Sequence, residues 1–142
     1  MRKVTCGSRE LGVRVAENSD GVYAEARTIS LPDRLMGRVV VHQEGLWVSG
    51  KGEWNVTDSA VHPEVRRCGV GTALYEEAIK AAYQQGARKV CSSDTLSEMS
   101  VGFWEKQVKK GRAVPFAGRY CLKSWSAARD LSGLRRKRRR HR

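Results

Sequence analysis

Apolar and polar side chains alternate along Gly12-Val13-Arg14-Val15-Ala16-Glu17, the period of a strand with one buried face, and again along Val22-Tyr23-Ala24-Glu25-Ala26-Arg27-Thr28-Ile29. Between them Asn18-Ser19-Asp20-Gly21 is a cluster of turn formers, so the two runs read as a β-hairpin. The connection from Leu31 to Gly37 has room for a helical turn. Arg38-Val39-Val40-Val41-His42-Gln43 reads as a third strand, ending at Glu44-Gly45. From Trp47 to Val61 the pattern is mixed. Gly50-Lys51-Gly52 looks like a turn, and Glu53 to Val61 combines strand formers with Asn and Asp; we read it as the strand feeding the proline and glycine stretch that follows.

The period then changes. Val70, Ala73, Leu74, Ala78, Ala81 and Ala82 recur at helical spacing from Gly69 to Gln85, and Gly86 stands where a helix ends. Arg88 to Ser92 reads as a short strand, which completes a strand-helix-strand unit with a parallel pair. Thr95-Leu96-Ser97-Glu98 has the form of a capping box opening a second helix that runs to about Lys110. On that helix Val101, Trp104 and Val108 share a face, which makes Trp104 a core residue. Ala113-Val114 and Arg119 to Lys123 supply two last strands, with Pro115 to Gly118 turning between them.

A chain of 142 residues is the size of one domain. The net charge is +12, but seven of those charges lie in the last eight residues, leaving +5 for the rest. Residues 1–125 therefore read as the folded domain and 126–142 as a basic, disordered tail. That tail is either a solvated run or a nonspecific arm on nucleic-acid phosphates through residues 135–142. No run is long and apolar enough for a signal peptide or a bilayer span, so the expected setting is cytoplasmic, with no membrane partner. The cysteines, Cys6, Cys68, Cys91 and Cys121, are scattered and the histidines lack metal-ligand spacing, so neither disulfides nor a metal is expected.

The chemistry concentrates in Val61-His62-Pro63-Glu64-Val65-Arg66-Arg67-Cys68-Gly69-Val70-Gly71-Thr72. Glycines let a ligand sit against the main chain. The free N–H groups and positive dipole end of a helix converge there, and two arginines add charge, a combination suited to a phosphate or pyrophosphate. A P-loop would need Lys-Ser/Thr after its last glycine, where this chain has Thr72-Ala73, and a dinucleotide fingerprint would need Gly or Ala in place of Leu74.

Val61-His62-Pro63, Arg66, Gly69 and Gly71 resemble, at the right spacing, the acyl-CoA-binding motif of the GNAT N-acetyltransferase superfamily: Val-x-Pro, two residues, Arg or Gln, two residues, Gly-x-Gly. A second, partial likeness covers 97–106. Ser97 takes the place of the family's asparagine, Ser100 of its alanine and Trp104 of its tyrosine. The resemblance implies an α/β (α+β) fold, a mixed, mostly antiparallel sheet flanked by helices. Here the N-terminal helices are reduced, because the first sixty residues hold no long amphipathic helix. It implies acetyl-CoA as acyl donor, held by Ala60, Val61, Arg66, Arg67, Cys68, Gly69, Val70, Gly71, Thr72 and Ser97, and an amine acceptor. A homodimer is compatible with it. An open acceptor side suits a protein amine better than a small drug.

The implied reaction is direct attack of the amine on the thioester, with no covalent enzyme intermediate. Family members commonly protonate the thiolate with the tyrosine that Trp104 replaces, so Tyr120, another residue or solvent must supply the proton, or the domain binds CoA without fast turnover. Glu53 and Asp58, with Asp94 behind them, are the candidate bases. Cys68 and Cys121 read as packing or ligand-lining residues, and His42 and His62 as structural. Three readings stay open: an acetyltransferase, a catalytically weak CoA-binding module, and a nucleic-acid-associated protein acting through its tail.

Overall fold

In a computed structural model, residues 1–43, 52–93 and 95–123 are described. Eight strands form one sheet: β1 (Arg2–Cys6), β2 (Arg9–Asn18), β3 (Gly21–Thr28), β4 (Leu35–Gln43), β5 (Glu53–Val61), β6 (Lys89–Cys91), β7 (Ala113–Phe116) and β8 (Arg119–Leu122). Their order across the sheet is β1-β2-β3-β4-β5-β6-β8-β7, and β5–β6 is the parallel pair among antiparallel ones. Helix α1 (Val70–Gln84) is the crossover between β5 and β6, and α2 (Glu98–Lys109) lies between β6 and β7. The expected mixed, mostly antiparallel sheet flanked by helices is what forms.

The alternation read in the hairpin decides which face is covered. Leu11 and Val13 of β2, Val22, Ala24 and Ala26 of β3, and Val39 and Val41 of β4 are buried, and α1 packs across these three strands with Leu74, Ala78, Ile79 and Ala82. Alanines at two of those four helix positions allow a close approach. Burying Leu74 and Ile79 contributes about 2 kcal/mol each. On the intervening positions Arg14, Tyr23, Glu25 and Arg27 line an open groove, and the Arg38 guanidinium lies 4.9 Å above the Tyr23 ring.

Several expectations are corrected. The N-terminus, for which the sequence predicted no element, is a strand, β1, paired in register with β2 from Arg2↔Val13 to Cys6↔Arg9; alternation over five residues that include two cations does not stand out. No helical turn forms between Leu31 and Gly37, because β4 already begins at Leu35. The cap of α2 is Ser97, whose hydroxyl accepts from the Ser100 N–H, rather than Thr95. Strand β7 runs through Pro115 to Phe116, and Ala117-Gly118 makes the turn. A proline is tolerated there because β7 is the sheet edge, where its missing N–H breaks no ladder bond.

The cysteines are also paired, against expectation: Cys6 with Cys68 and Cys91 with Cys121. Spacing of 62 and 30 residues hides this in the sequence. The fold creates it, since Cys91 and Cys121 are directly opposed on β6 and β8 and both are buried.

Among the described residues no helix is long and apolar enough to cross a membrane. The turn read at residues 50–52 lies mostly, and the candidate base Asp94 and the basic tail from 126 onward wholly, outside the described residues.

Candidate active site

The site is made by a split in the sheet. Strand β5 pairs with β6 only over Glu53↔Lys89, Trp54↔Val90 and Asn55↔Cys91. On its other side β5 stays paired with β4 to Val61, with a bulge: Asp58 opposes Val40 while Val56 opposes Val41, leaving Thr57 extra. A bulge bends its strand, and here it falls where β5 parts from β6. From Val56 onward one edge of β5 has no neighbouring strand, and two adjoining cavities that share Ser59 and Ser97 lie along it.

The outer cavity, about 730 Å³, is lined by Ala60 and Val61 of β5, then Arg66, Arg67, Gly69, Gly71 and Thr72 of the loop and first turn of α1, and Ser97 at the start of α2. All eight are residues singled out in the sequence. The remaining two lie just behind: Val70 is buried as the first residue of α1, and Cys68 is tied to β1 through Cys6.

The loop has a physical reason for its shape. Pro63–Val65 forms one 3₁₀ turn, capped by the His62 ring, whose Nδ1 accepts from the Glu64 N–H at 3.1 Å. Arg66 Nε donates to the Val61 carbonyl at 3.3 Å, which pins the loop back on the strand end. Gly69 then takes a left-handed conformation at φ 81° as the N-cap of α1. It has no side chain to cap with, so the N–H groups of the first turn are left to a ligand. Gly71 serves another need: a Cβ there would lie 2.8 Å from Met99 Sδ of α2, so its absence lets the two helices close on the cleft.

The inner cavity, about 300 Å³, is lined by Val56 to Ser59 of β5, Tyr75 of α1, Ser92 and Ser93 after β6, and Thr95 to Ser97, Ser100 and Trp104 at α2. Ser59 and Ser97 line both cavities, so they mark the junction. Asp58, a predicted base, faces the inner cavity. Glu53 does not line it; its carboxylate is held 2.6 Å from Arg119. Tyr120 is outside the lining too, with its ring parallel to that of Trp104 at 6.4 Å and its backbone exchanging hydrogen bonds with Ser92. Trp104 is fully buried, and its indole N–H has no acceptor among the described residues.

Three hydroxyls went unassigned in the sequence: Ser59 Oγ lies 2.9 Å from Ser100 Oγ, and the Tyr75 hydroxyl also meets Ser100 Oγ. Burial pushes the Tyr75 hydroxyl above the usual tyrosine range; the bonds to Ser100 and Ser59 oppose this and the Asp58 charge adds to it. Their signal was partial. Ser100 fell at a motif position, but Tyr75 looks like one more apolar residue of α1.

Residues 8–108 match the model of the Acetyltransferase (GNAT) family. No curated protein matches the chain. Among solved structures, a Bacillus subtilis acetyltransferase in complex with CoA aligns with a TM-score of 0.52 at 15% identity, over 79% of this chain and 97% of that one. An IAA acetyltransferase from Bacillus cereus ATCC 14579 aligns at 0.50 and 14%, over 72% and 77%. A proposed streptothricin acetyltransferase from Bacillus anthracis str. Ames, in complex with acetyl coenzyme A, aligns at 0.49 and 14%, over 75% of this chain; the chain spans 61% of that protein's length.

Proposed function

The chain belongs to the acetyltransferase (GNAT) family, and from that premise we propose that it transfers an acetyl group from acetyl-CoA to a primary amine by direct attack on the thioester. The observation that carries this reading is the outer cavity, where the uncapped first turn of α1, Arg66 and Arg67 meet the free edge of β5.

Each part of the cleft fits a part of the donor. Helix N–H groups and two exposed guanidinium groups suit the pyrophosphate. The unpaired edge of β5 at Ala60 and Val61 offers backbone groups to the amides of the pantetheine arm, as a sheet edge does to an added strand. That arm leads past Ser59 and Ser97 into the inner cavity, where the acetyl group supplies the electrophilic carbonyl. Asp58 lines that cavity and is the group we assign to take the amine proton, directly or through a water. A backbone N–H of β5 stabilises the oxyanion.

The acceptor side is open: among the described residues no helix precedes Pro63, and the face bearing Arg14, Tyr23, Glu25 and Arg27 is uncovered. This supports a large acceptor such as a protein amine. One observation favours a second reading, a CoA-binding module without fast turnover: buried Trp104 stands where the family's tyrosine would. Contact of residues 135–142 with nucleic acid is a separate proposal, tested by salt-dependent duplex binding that is lost on truncation.

The deciding experiment is calorimetric titration of acetyl-CoA into the wild type, Gly71→Trp and the surface variant Arg67→Glu, followed by thiol release with a panel of primary amines. Affinity should fall roughly hundredfold in Gly71→Trp and measurably in Arg67→Glu. No binding by the folded wild type would refute the reading; binding without thiol release would favour the CoA-binding module.

A further inference from the structure

The three hydroxyls at the cavity junction have a direction. Tyr75 is fully buried on α1, stacked on Phe103 with ring centroids 4.3 Å apart and set edge-on to Trp104 at 6.4 Å, so its hydroxyl is held in one place. That place is against Ser100 Oγ of α2. A phenol is the better donor of the two, so Tyr75 donates and Ser100 accepts. The Ser100 hydroxyl proton then goes to Ser59 Oγ, 2.9 Å away. Ser59 has accepted from Ser100, so its own O–H can turn from the neighbouring Tyr75 oxygen to the cleft, and Ser59 is the member of the chain that lines both cavities. Successive donation along such a chain polarises its last hydroxyl.

We infer that Ser59 donates a hydrogen bond to the thioester sulfur as it departs, with Ser100 and Tyr75 as positioning residues that aim and polarise it. This rests on the acetyl-transfer reading. As the amine nitrogen bonds to the carbonyl carbon, the carbon–sulfur bond breaks and its electron pair goes to sulfur. The Ser59 O–H stabilises that charge. The acceptor ammonium gives up one proton through Asp58 before attack, the nitrogen loses a second to solvent once it has bonded to carbon, and the sulfur takes one from solvent on release, so the reaction balances with an amide, a free thiol and one proton released. The arrangement meets the need left by Trp104, whose N–H cannot act as an acid.

The test measures acetyl-CoA affinity and thiol release, with the best acceptor of a primary-amine panel, for wild type, Ser59→Ala, Ser59→Thr, Ser100→Ala and Tyr75→Phe. Losing one charge-directed donor should lower kcat roughly tenfold to hundredfold in Ser59→Ala, with KM for acetyl-CoA within about twofold. Ser59→Thr keeps the hydroxyl and should recover most of the rate. Ser100→Ala and Tyr75→Phe should lower kcat, and adding Tyr75→Phe to Ser59→Ala should lower it no further. Full kcat in Ser59→Ala, or acetyl-CoA binding with no thiol release by the wild type, would overturn the assignment. Failure of the wild type to bind acetyl-CoA would instead overturn the acetyl-transfer reading beneath it.

Discussion

Arg119 of β8 reaches past β6 to hold the Glu53 carboxylate of β5 at 2.6 Å, and donates to Asn55 Oδ1 at 3.2 Å as well. The two acidic residues of β5 therefore have different surroundings. Glu53 is bound where β5 still pairs with β6, and Asp58 faces the inner cavity beyond the split.

Glu53→Gln should consequently act on stability and Asp58→Asn on turnover. Breaking a largely buried ion pair by removing one partner costs about 2 to 3 kcal/mol at this partial exposure, read as a lower denaturant midpoint with kcat nearly unchanged. Asp58→Asn should leave the midpoint within about 0.5 kcal/mol and lower kcat roughly a hundredfold. Equal losses of kcat in both variants would remove the distinction.

Gly69→Ala isolates the backbone of the cleft. A Cβ at Gly69 would meet nothing within 4 Å, yet the residue holds φ 81° as the N-cap of α1. The whole effect is then the left-handed penalty, about 1 to 2 kcal/mol. Acetyl-CoA affinity should fall with it, because relaxing φ turns the first N–H groups of α1 away. Calorimetry and a urea melt on the same variant check both halves.

The glycine loop was legible because its pattern is local: the resemblance to the acyl-CoA-binding motif rests on a dozen consecutive residues, and eight of the ten residues it implied for the cofactor line one cavity. The hairpin and α1 were legible for the same reason, since alternation and helical period are short-range signals. What escaped depends on pairings distant in sequence. Tyr75 meets Ser100 and Ser59 meets Ser100 only once α1, α2 and β5 converge. Likewise Arg119 pairs with Glu53 only because β8 and β5 flank β6. Cys6 and Cys68 are brought together by the docking of an N-terminal strand that the sequence did not announce.

Tethering of the glycine loop to β1 through Cys6 and Cys68 should be visible on reduction. Cys6 and Cys68 are partly exposed while Cys91 and Cys121 are buried, so a dithiol reductant acting on the native protein should open the first pair first. Mass spectrometry after alkylation should find label on Cys6 and Cys68 alone at short times. Opening a loop of this length removes about 4 kcal/mol of denatured-state constraint, seen as a fall in Tm. Acetyl-CoA affinity should weaken as the loop loses its anchor, and simultaneous labelling of all four cysteines would contradict the ordering.

Tyr83, near the end of α1, gives the fold an alkaline limit. Burial pushes its hydroxyl up to about 12, against an ordinary value near 10, and a hydrogen bond with the backbone of Val90 only partly opposes this. A folded-state pKa above the unfolded one means that the native protein holds the proton more tightly. The stabilisation is complete below pH 10 and is lost as the pH rises from there through about 12. Denaturant midpoints measured at pH 8, 10 and 11 should therefore stay level and then decline. In Tyr83→Phe, which has no proton to lose, the decline between the last two should be shallower. A variant that declines as steeply as the wild type would move the alkaline sensitivity to another group.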